Sequence, residues 1–379
     1  MPATVRLALS LSLLLGVGAC SSEKSDEGKA PAEAAEADDN AKIGVRCRAA
    51  TDLDGAARQA LTEATDAIFA SLRGGDTEGL WASLHPQARR PEAREAFEAS
   101  VRAAAERLGD TTGEPTREWA FVVDVSGGVN DLARITCGPD DPPTLVWMAN
   151  VGAEDLAVVS LLTERPPFSY ATTLQLRKRG DTWRLLGMQT APASYRGKSA
   201  TDYEPLAAEY IEREQFVAAY LMLAIAQTLA ERASAVKTTQ ALRLEQALAR
   251  VEQSDGFTSA TTKWDVGGDE FDLLGLSLLA TQSDLSLVVK YVNERGLVQE
   301  LLGRDADKLM DYVRTSFPEL RGRFDAVVFE AYPQRPDDAE GTVQAYRTVR
   351  MFDAGPTPTP PGPDAPSAPA ALPAAPPPP

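Results

Sequence analysis

One histidine, three cysteines and a deficit of positive charge set the first limits on this sequence. With His85 as the sole histidine, any catalytic triad or histidine–metal site would have to use it. Zinc sites built from several histidine or cysteine ligands have too few ligands to draw on. His85 stands in Leu84-His85-Pro86 at a predicted helix stop, where a capping or surface role is expected. Lysine and arginine total 38 against 55 aspartates and glutamates, a formal net charge of −17. Such a surface repels phosphate backbones and anionic bilayers, which argues against nucleic acid as a partner. The acidity otherwise speaks only for solubility. At 379 residues and 44% hydrophobic content the chain can bury one large core or two ordinary ones.

The first residues divide into three parts. Met1 to Arg6 carries one positive charge, Leu7 to Leu15 (LALSLSLLL) is apolar, and Gly16-Val17-Gly18-Ala19 precedes Cys20. The apolar run is shorter than the roughly 20 residues that a spanning helix needs, and it suits a secretory signal peptide of residues 1–19. Val17-Gly18-Ala19-Cys20 resembles the lipobox of bacterial lipoproteins, in which an aliphatic residue and two small ones precede the modified cysteine. The resemblance implies cleavage before Cys20, acylation of its thiol and palmitate-class anchoring. It also implies a place in the cell envelope, with the outer membrane favoured if two membranes are present, because Ser21 follows the cysteine. An ordinary signal peptide with an incidental cysteine is the competing interpretation.

Once Cys20 is acylated, Cys47 and Cys137 remain. In an oxidising compartment that even remainder suggests a disulfide, contributing about 4 kcal/mol on the chain-entropy model. Two buried free thiols are the alternative.

Residues 20–50 are expected to be a disordered tether, rich in Ala, Glu, Asp and Ser, and residues 354–379 a disordered Pro/Ala-rich tail. Between them the pattern predicts two α+β blocks. In residues 51–195, helical periodicity over Leu53–Leu72 ends at Gly74-Gly75. Asp76 N-caps a short helix, and Glu92–Leu108 forms a third. Strands follow at Trp119–Val125, Leu132–Cys137, Leu145–Val151, Leu156–Leu162, Thr172–Arg177 and Trp183–Met188, the last two joined as a hairpin through Lys178–Asp181. Helices followed by an antiparallel sheet is the α+β class. In residues 201–353, one helix over Leu206–Arg232 and a shorter partner marked by Leu244, Leu248 and Val251 are expected to make a helical hairpin over a ββαββ segment. The latter comprises Leu273–Leu279, Leu285–Val292, Ala306–Thr315, Ala326–Tyr332 and Thr342–Phe352.

The run from Phe69 to Arg89 (FASLRGGDTEGLWASLHPQAR) and the closing Leu174–Met188 (LQLRKRGDTWRLLGM) resemble the start and the last hairpin of nuclear transport factor 2-like domains. That resemblance, over residues 51–195, implies a curved sheet wrapped around the helices as a cone. Family members bind small apolar molecules in the cone, and some are enzymes such as ketosteroid isomerases. On the resemblance, Trp81, Phe97, Trp119, Phe121, Trp147 and Trp183 would line or close such a pocket. Large aromatics also dominate ordinary cores, which is the competing interpretation of the same six.

Other motifs weigh less. Asp265, Asp269, Glu270 and Asp272 lack the spacing of an EF-hand loop and fit a solvated turn before a strand. Arg196-Gly197-Lys198-Ser199 ends like a phosphate-binding loop, but the first glycine of that motif would fall on Pro192, which has no backbone N–H. Arg179-Gly180-Asp181 is explained by a hairpin turn. No metal and no cofactor is expected. The sequence thus points to a lipid-anchored envelope protein, a binding or scaffold module for a small apolar ligand or an envelope protein. The alternative is an isomerase- or hydrolase-like enzyme using the cone, with Asp124 or Tyr170 facing inward. A third is an assembly factor with an exposed apolar stripe between Tyr210 and Leu229.

Overall fold

A computed structural model describes residues 45–352 except 110–112, 126–130, 139–143, 153, 282–283 and 337–342. The expected signal peptide, Cys20, most of the tether and the Pro/Ala-rich tail lie outside the described residues. The expected tether through residue 50 is corrected at its end, where Val45–Ala49 form a strand, β1. The five residues Val-Arg-Cys-Arg-Ala alternate apolar or small with charged, which is the period of a strand.

Three helices come next. In α1 (Gly55–Arg73), Asp54 caps the start by accepting from the Ala57 amide, and Leu61, Thr65, Ile68 and Leu72 form the buried stripe. Asp76 caps α2 (Thr77–Ser83) by accepting from the Gly79 amide at 2.9 Å. A Cβ at position 79 would stand 2.0 Å from the Asp76 carboxylate, so this tight cap requires glycine. α3 (Arg94–Leu108) buries Val101, Ala104 and Leu108 and ends at Gly109 with φ 56°.

The strands β2 (Thr116–Val125), β5 (Leu156–Arg165), β6 (Phe168–Arg179), β7 (Thr182–Tyr195) and β8 (Lys198–Ser199) join β1 in a six-stranded antiparallel sheet, order β1-β2-β5-β6-β7-β8. The sheet curls strongly into a half-barrel. Register shifts at Arg117/Trp119, Ser169/Tyr170 and Gln175/Leu176 mark bulges, each of which bends its strand and increases local twist. Both faces are buried. Ala157, Val159 and Leu161 of β5 face the main helical core, while Leu156 and Val158 face a small three-stranded sheet. That sheet is β3 (Asp131–Cys137), β4 (Leu145–Val151) and β9 (Val236–Thr238), in the order β3-β4-β9.

The expected single helix over Leu206–Arg232 is two: α4 (Ala200–Glu212) and α5 (Phe216–Ala230). Glu214 turns the chain with φ 59°. The helical hairpin is therefore α4 with α5, and the Leu244–Val251 stretch belongs to α6 (Thr239–Glu252), which packs on α5 separately. Ten of the fifteen residues of α5 are buried, including Val217, Leu221, Ile225 and Leu229, as expected for an apolar helix enclosed over most of its circumference. Tyr210 is buried as well, so the apolar stripe required by the assembly-factor reading is not exposed.

The remaining elements are α7 (Asp255–Thr262), β10 (Lys263–Val266), β11 (Asp269–Ala280), β12 (Leu285–Val292), α8 (Gln299–Ser316), β13 (Ala326–Tyr332) and β14 (Tyr346–Met351). They form a second sheet, β10-β11-β12-β13-β14, antiparallel except where α8 connects the parallel pair β12 and β13. The molecule is α+β. Because α5 touches β7 on one side and β11 on the other, the apolar cores of the two expected blocks are contiguous.

Candidate functional site

The six aromatic residues expected around a common pocket fall into two groups on opposite faces of the curled sheet. Trp81 of α2 meets Phe97 of α3 with ring centroids 5.5 Å apart, and both pack with Trp183 of β7 into the helical core. Trp119, Phe121 and Trp147 belong to the core beneath the small sheet, where Trp147 is fully buried and its indole N–H donates to Gln175 Oε1 at 3.3 Å. With the sheet between them, the two groups line no shared cavity. Face assignment is set by the bulges and by strand pairing at long range, which alternation alone does not reveal.

A core role for Trp147 has a measurable consequence. Replacing it by alanine removes a large side chain with no solvent access and should cost about 3 to 5 kcal/mol of stability. Urea unfolding of the variant reads this directly. An unchanged midpoint would mean that the indole is not a packing element.

The residues suggested for an enzyme are engaged elsewhere. Asp124 on β2 pairs with Arg48 of β1 at 2.7 Å, with both side chains about one-third exposed. Tyr170 is buried beside Phe168, and burial pushes its phenol up, which keeps it protonated. The shifted carboxylates among the described residues (Glu98, Glu118, Asp202, Glu204 and Asp269) all move downward. None of these five is held protonated, as a buried general acid would be. In the acidic run, Asp265 accepts from the Gly268 amide, Asp269 pairs with Lys308 and Glu270 with Lys263. No metal-binding group of three or more His, Cys, Asp or Glu side chains occurs among the described residues.

A polar centre that the sequence did not announce lies between the loop after α2, β4 and β6. His85 is only 5% exposed, so it is an interior residue and not the surface group expected at a helix stop. Leu84 bridges Leu185 in parallel, and the His85 amide donates to the Leu185 carbonyl at 2.7 Å, fixing the loop to β7. The imidazole Nδ1 accepts from the Gln87 amide at 3.4 Å, and Nε2 lies 3.1 Å from Glu154 Oε2. Burial lowers the His85 pKa, Glu154 opposes that, and Arg177 adds to it, so the balance favours the neutral ring. Arg177 itself is 2% exposed, with its guanidinium donating to Gln87 Oε1 and to the Asn150 carbonyl. Desolvation lowers its pKa against the pull of Glu154. Arg177 stands in the polar stretch Gln175-Leu176-Arg177-Lys178-Arg179, so nothing local in the sequence marks it as the buried one. Its partners lie far away in sequence and could not be read from it.

Compared with known protein families, curated proteins and solved structures, the chain matches none. Cys47 of β1 and Cys137 of β3 are joined by a disulfide, with Cα atoms 5.4 Å apart, linking the edge of the large sheet to the small one. No helix among the described residues is long and apolar enough to cross a membrane.

Proposed function

We propose that this chain is a lipid-anchored protein of the cell envelope that acts without catalysis, as a scaffold or binding module for another envelope protein. The observation that carries the proposal is Val17-Gly18-Ala19-Cys20, in register with the apolar run that ends at Leu15. The Cys47–Cys137 bridge supports an oxidising compartment, where such bonds persist. A half-barrel filled by side chains on both faces supports a structural or interaction role over capture of a small apolar ligand. On the same footing, residues 51–195 are read as a nuclear transport factor 2-like cone. Three helices ahead of a curled antiparallel sheet support that assignment.

The anchor is tested by Cys20→Ser. The variant should lose its place in the detergent-phase membrane fraction, and its intact mass should show neither acyl chains nor cleavage before position 20. Retention in the lipid fraction with unaltered processing would overturn the proposal.

A further inference from the structure

A cleft of about 490 Å³ opens beside the polar centre, between the end of α2 with its following loop and the β6–β7 hairpin. Its walls are Ala82, Leu84, Pro86 and Arg89 on one side and Arg179, Thr182 and Arg184 on the other. The lining therefore holds three guanidinium groups and no carboxylate. In a chain of net charge −17 this is a local reversal of sign.

The three arginines differ in their ties. Arg89 donates to the carbonyls of Ala82 and Leu84, which hold its guanidinium at the C-terminal end of α2. Arg179 and Arg184 have no ion-pair or hydrogen-bond partner for their side chains among the described residues. Antiparallel pairing sets Arg184 opposite the buried Arg177 and Arg179 opposite Thr182, so three cations crowd one end of the hairpin. Like charges placed this way repel. Of the nearby acids, Glu154 is held at His85 and offsets part of the Arg177 charge, and Asp181 sits in the exposed turn outside the cleft lining, so Arg179 and Arg184 keep no carboxylate of their own there. His85, behind the wall, feels the same field, since Arg177 and Arg179 both lower its pKa after burial has done so.

We propose that this cleft binds a multiply charged oxyanion of the phosphate class, held by Arg179 and Arg184 with Arg89 at the rim. Guanidinium forks match phosphate oxygens in pairs, and two unpaired forks facing one cleft exceed what a single carboxylate would engage. The volume lies in the range of small-molecule sites, so a phosphorylated small molecule fits as well as the free ion. The same phosphate chemistry is carried by lipid headgroups. The chain's overall negative charge opposes approach to an anionic bilayer, and this favours the soluble source. The site is independent of the lipid anchor and of the scaffold proposal.

The test uses the full chain carrying Cys20→Ser, so that no acyl group contributes. Calorimetric titration with inorganic phosphate, at an ionic strength fixed with chloride, should show saturable binding. The double variant Arg179→Gln/Arg184→Gln should weaken it by about a hundredfold, each lost charge-assisted contact being worth about tenfold. Both side chains are exposed and crowded by like charge, so the variant's melting temperature in chloride should be no lower than that of the parent. In parallel, co-sedimentation with phosphatidylcholine vesicles containing phosphatidylglycerol reports on headgroups. Binding of free phosphate that the variant loses supports a soluble ligand. Binding of vesicles alone, again lost in the variant, supports the phosphate site and assigns it to lipid. A chain that binds neither probe, or a double variant that binds as the parent does, overturns the proposal.

Discussion

Replacing Cys47 and Cys137 together by alanine is expected to lower the unfolding free energy by about 4 kcal/mol. The bridge spans 90 residues of sequence, and closing so long a loop removes much of the entropy of the unfolded chain. Alanine is the better replacement because Cys137 is 2% exposed, and a serine hydroxyl there would add a desolvation cost unrelated to the bridge. The loss should not be spread evenly. β1 is an edge strand of five residues whose one sheet neighbour is β2, and Cys137 ties it to β3 of the small sheet. Amide exchange should therefore accelerate first in Val45–Ala49 and in β3, while β5 and β6, buried on both faces, keep their protection. Urea unfolding with and without a reductant gives the same comparison without mutation. Equal midpoints in the two conditions, for a chain whose bridge is shown to be cleaved, would remove the argument.

The parts of this fold that were legible in sequence are those in which local pattern and tertiary placement agree. Leu145–Val151, Leu285–Val292 and Ala326–Tyr332 are strands with the bounds that their composition predicts, and Asp76 caps α2 with the turn geometry expected of it. The failures have a common physical origin. Glu212-Arg213-Glu214-Gln215 is made of good helix formers, yet the chain turns there because α4 and α5 pack against each other, a gain that outweighs local propensity. The aromatic set misled for a related reason. Trp183 enters the helical core from β7, whereas Trp147 stands on β4 of the separate three-stranded sheet and enters the core on the other side, a division set by which strands pair and not by alternation within either one. His85 and Arg177 have partners contributed by other strands and loops, so their burial follows from topology and not from neighbours in sequence. The expected core elements were visible; the polar contacts that join them were not.

Neutralising Glu118 should also lower stability, and the loss should depend on pH. The register of β2 with β5 skips Glu118 between Arg117 and Trp119, so the residue occupies a bulge. Its carboxylate accepts from Arg232 Nε and Nη2, both at 2.9 Å, and from the Ser160 hydroxyl at 2.7 Å. Arg232 also donates to the Leu229 carbonyl at 2.7 Å, so one guanidinium closes the end of α5 and fastens it to the curled sheet. Breaking a buried pair from one side typically costs about 3 to 5 kcal/mol. With the Glu118 side chain 24% exposed, solvent softens the effect, and Glu118→Gln should cost about 2 kcal/mol near neutral pH. Burial works against the Glu118 charge, but Arg232 and the Ser160 hydroxyl prevail and hold its pKa below the usual glutamate value of 4.5. A folded-state pKa below the unfolded one means that the stabilisation is fully present above pH 4.5 and is lost as pH falls through the folded value. The stability difference between wild type and Glu118→Gln should therefore be constant from neutrality down to that region and shrink below it. Urea midpoints of both proteins across this range test the sign as well as the size. A difference that grows on acidification, or a Glu118→Gln/Arg232→Met double variant whose losses simply add, would mean that the pair does not hold α5 to the sheet.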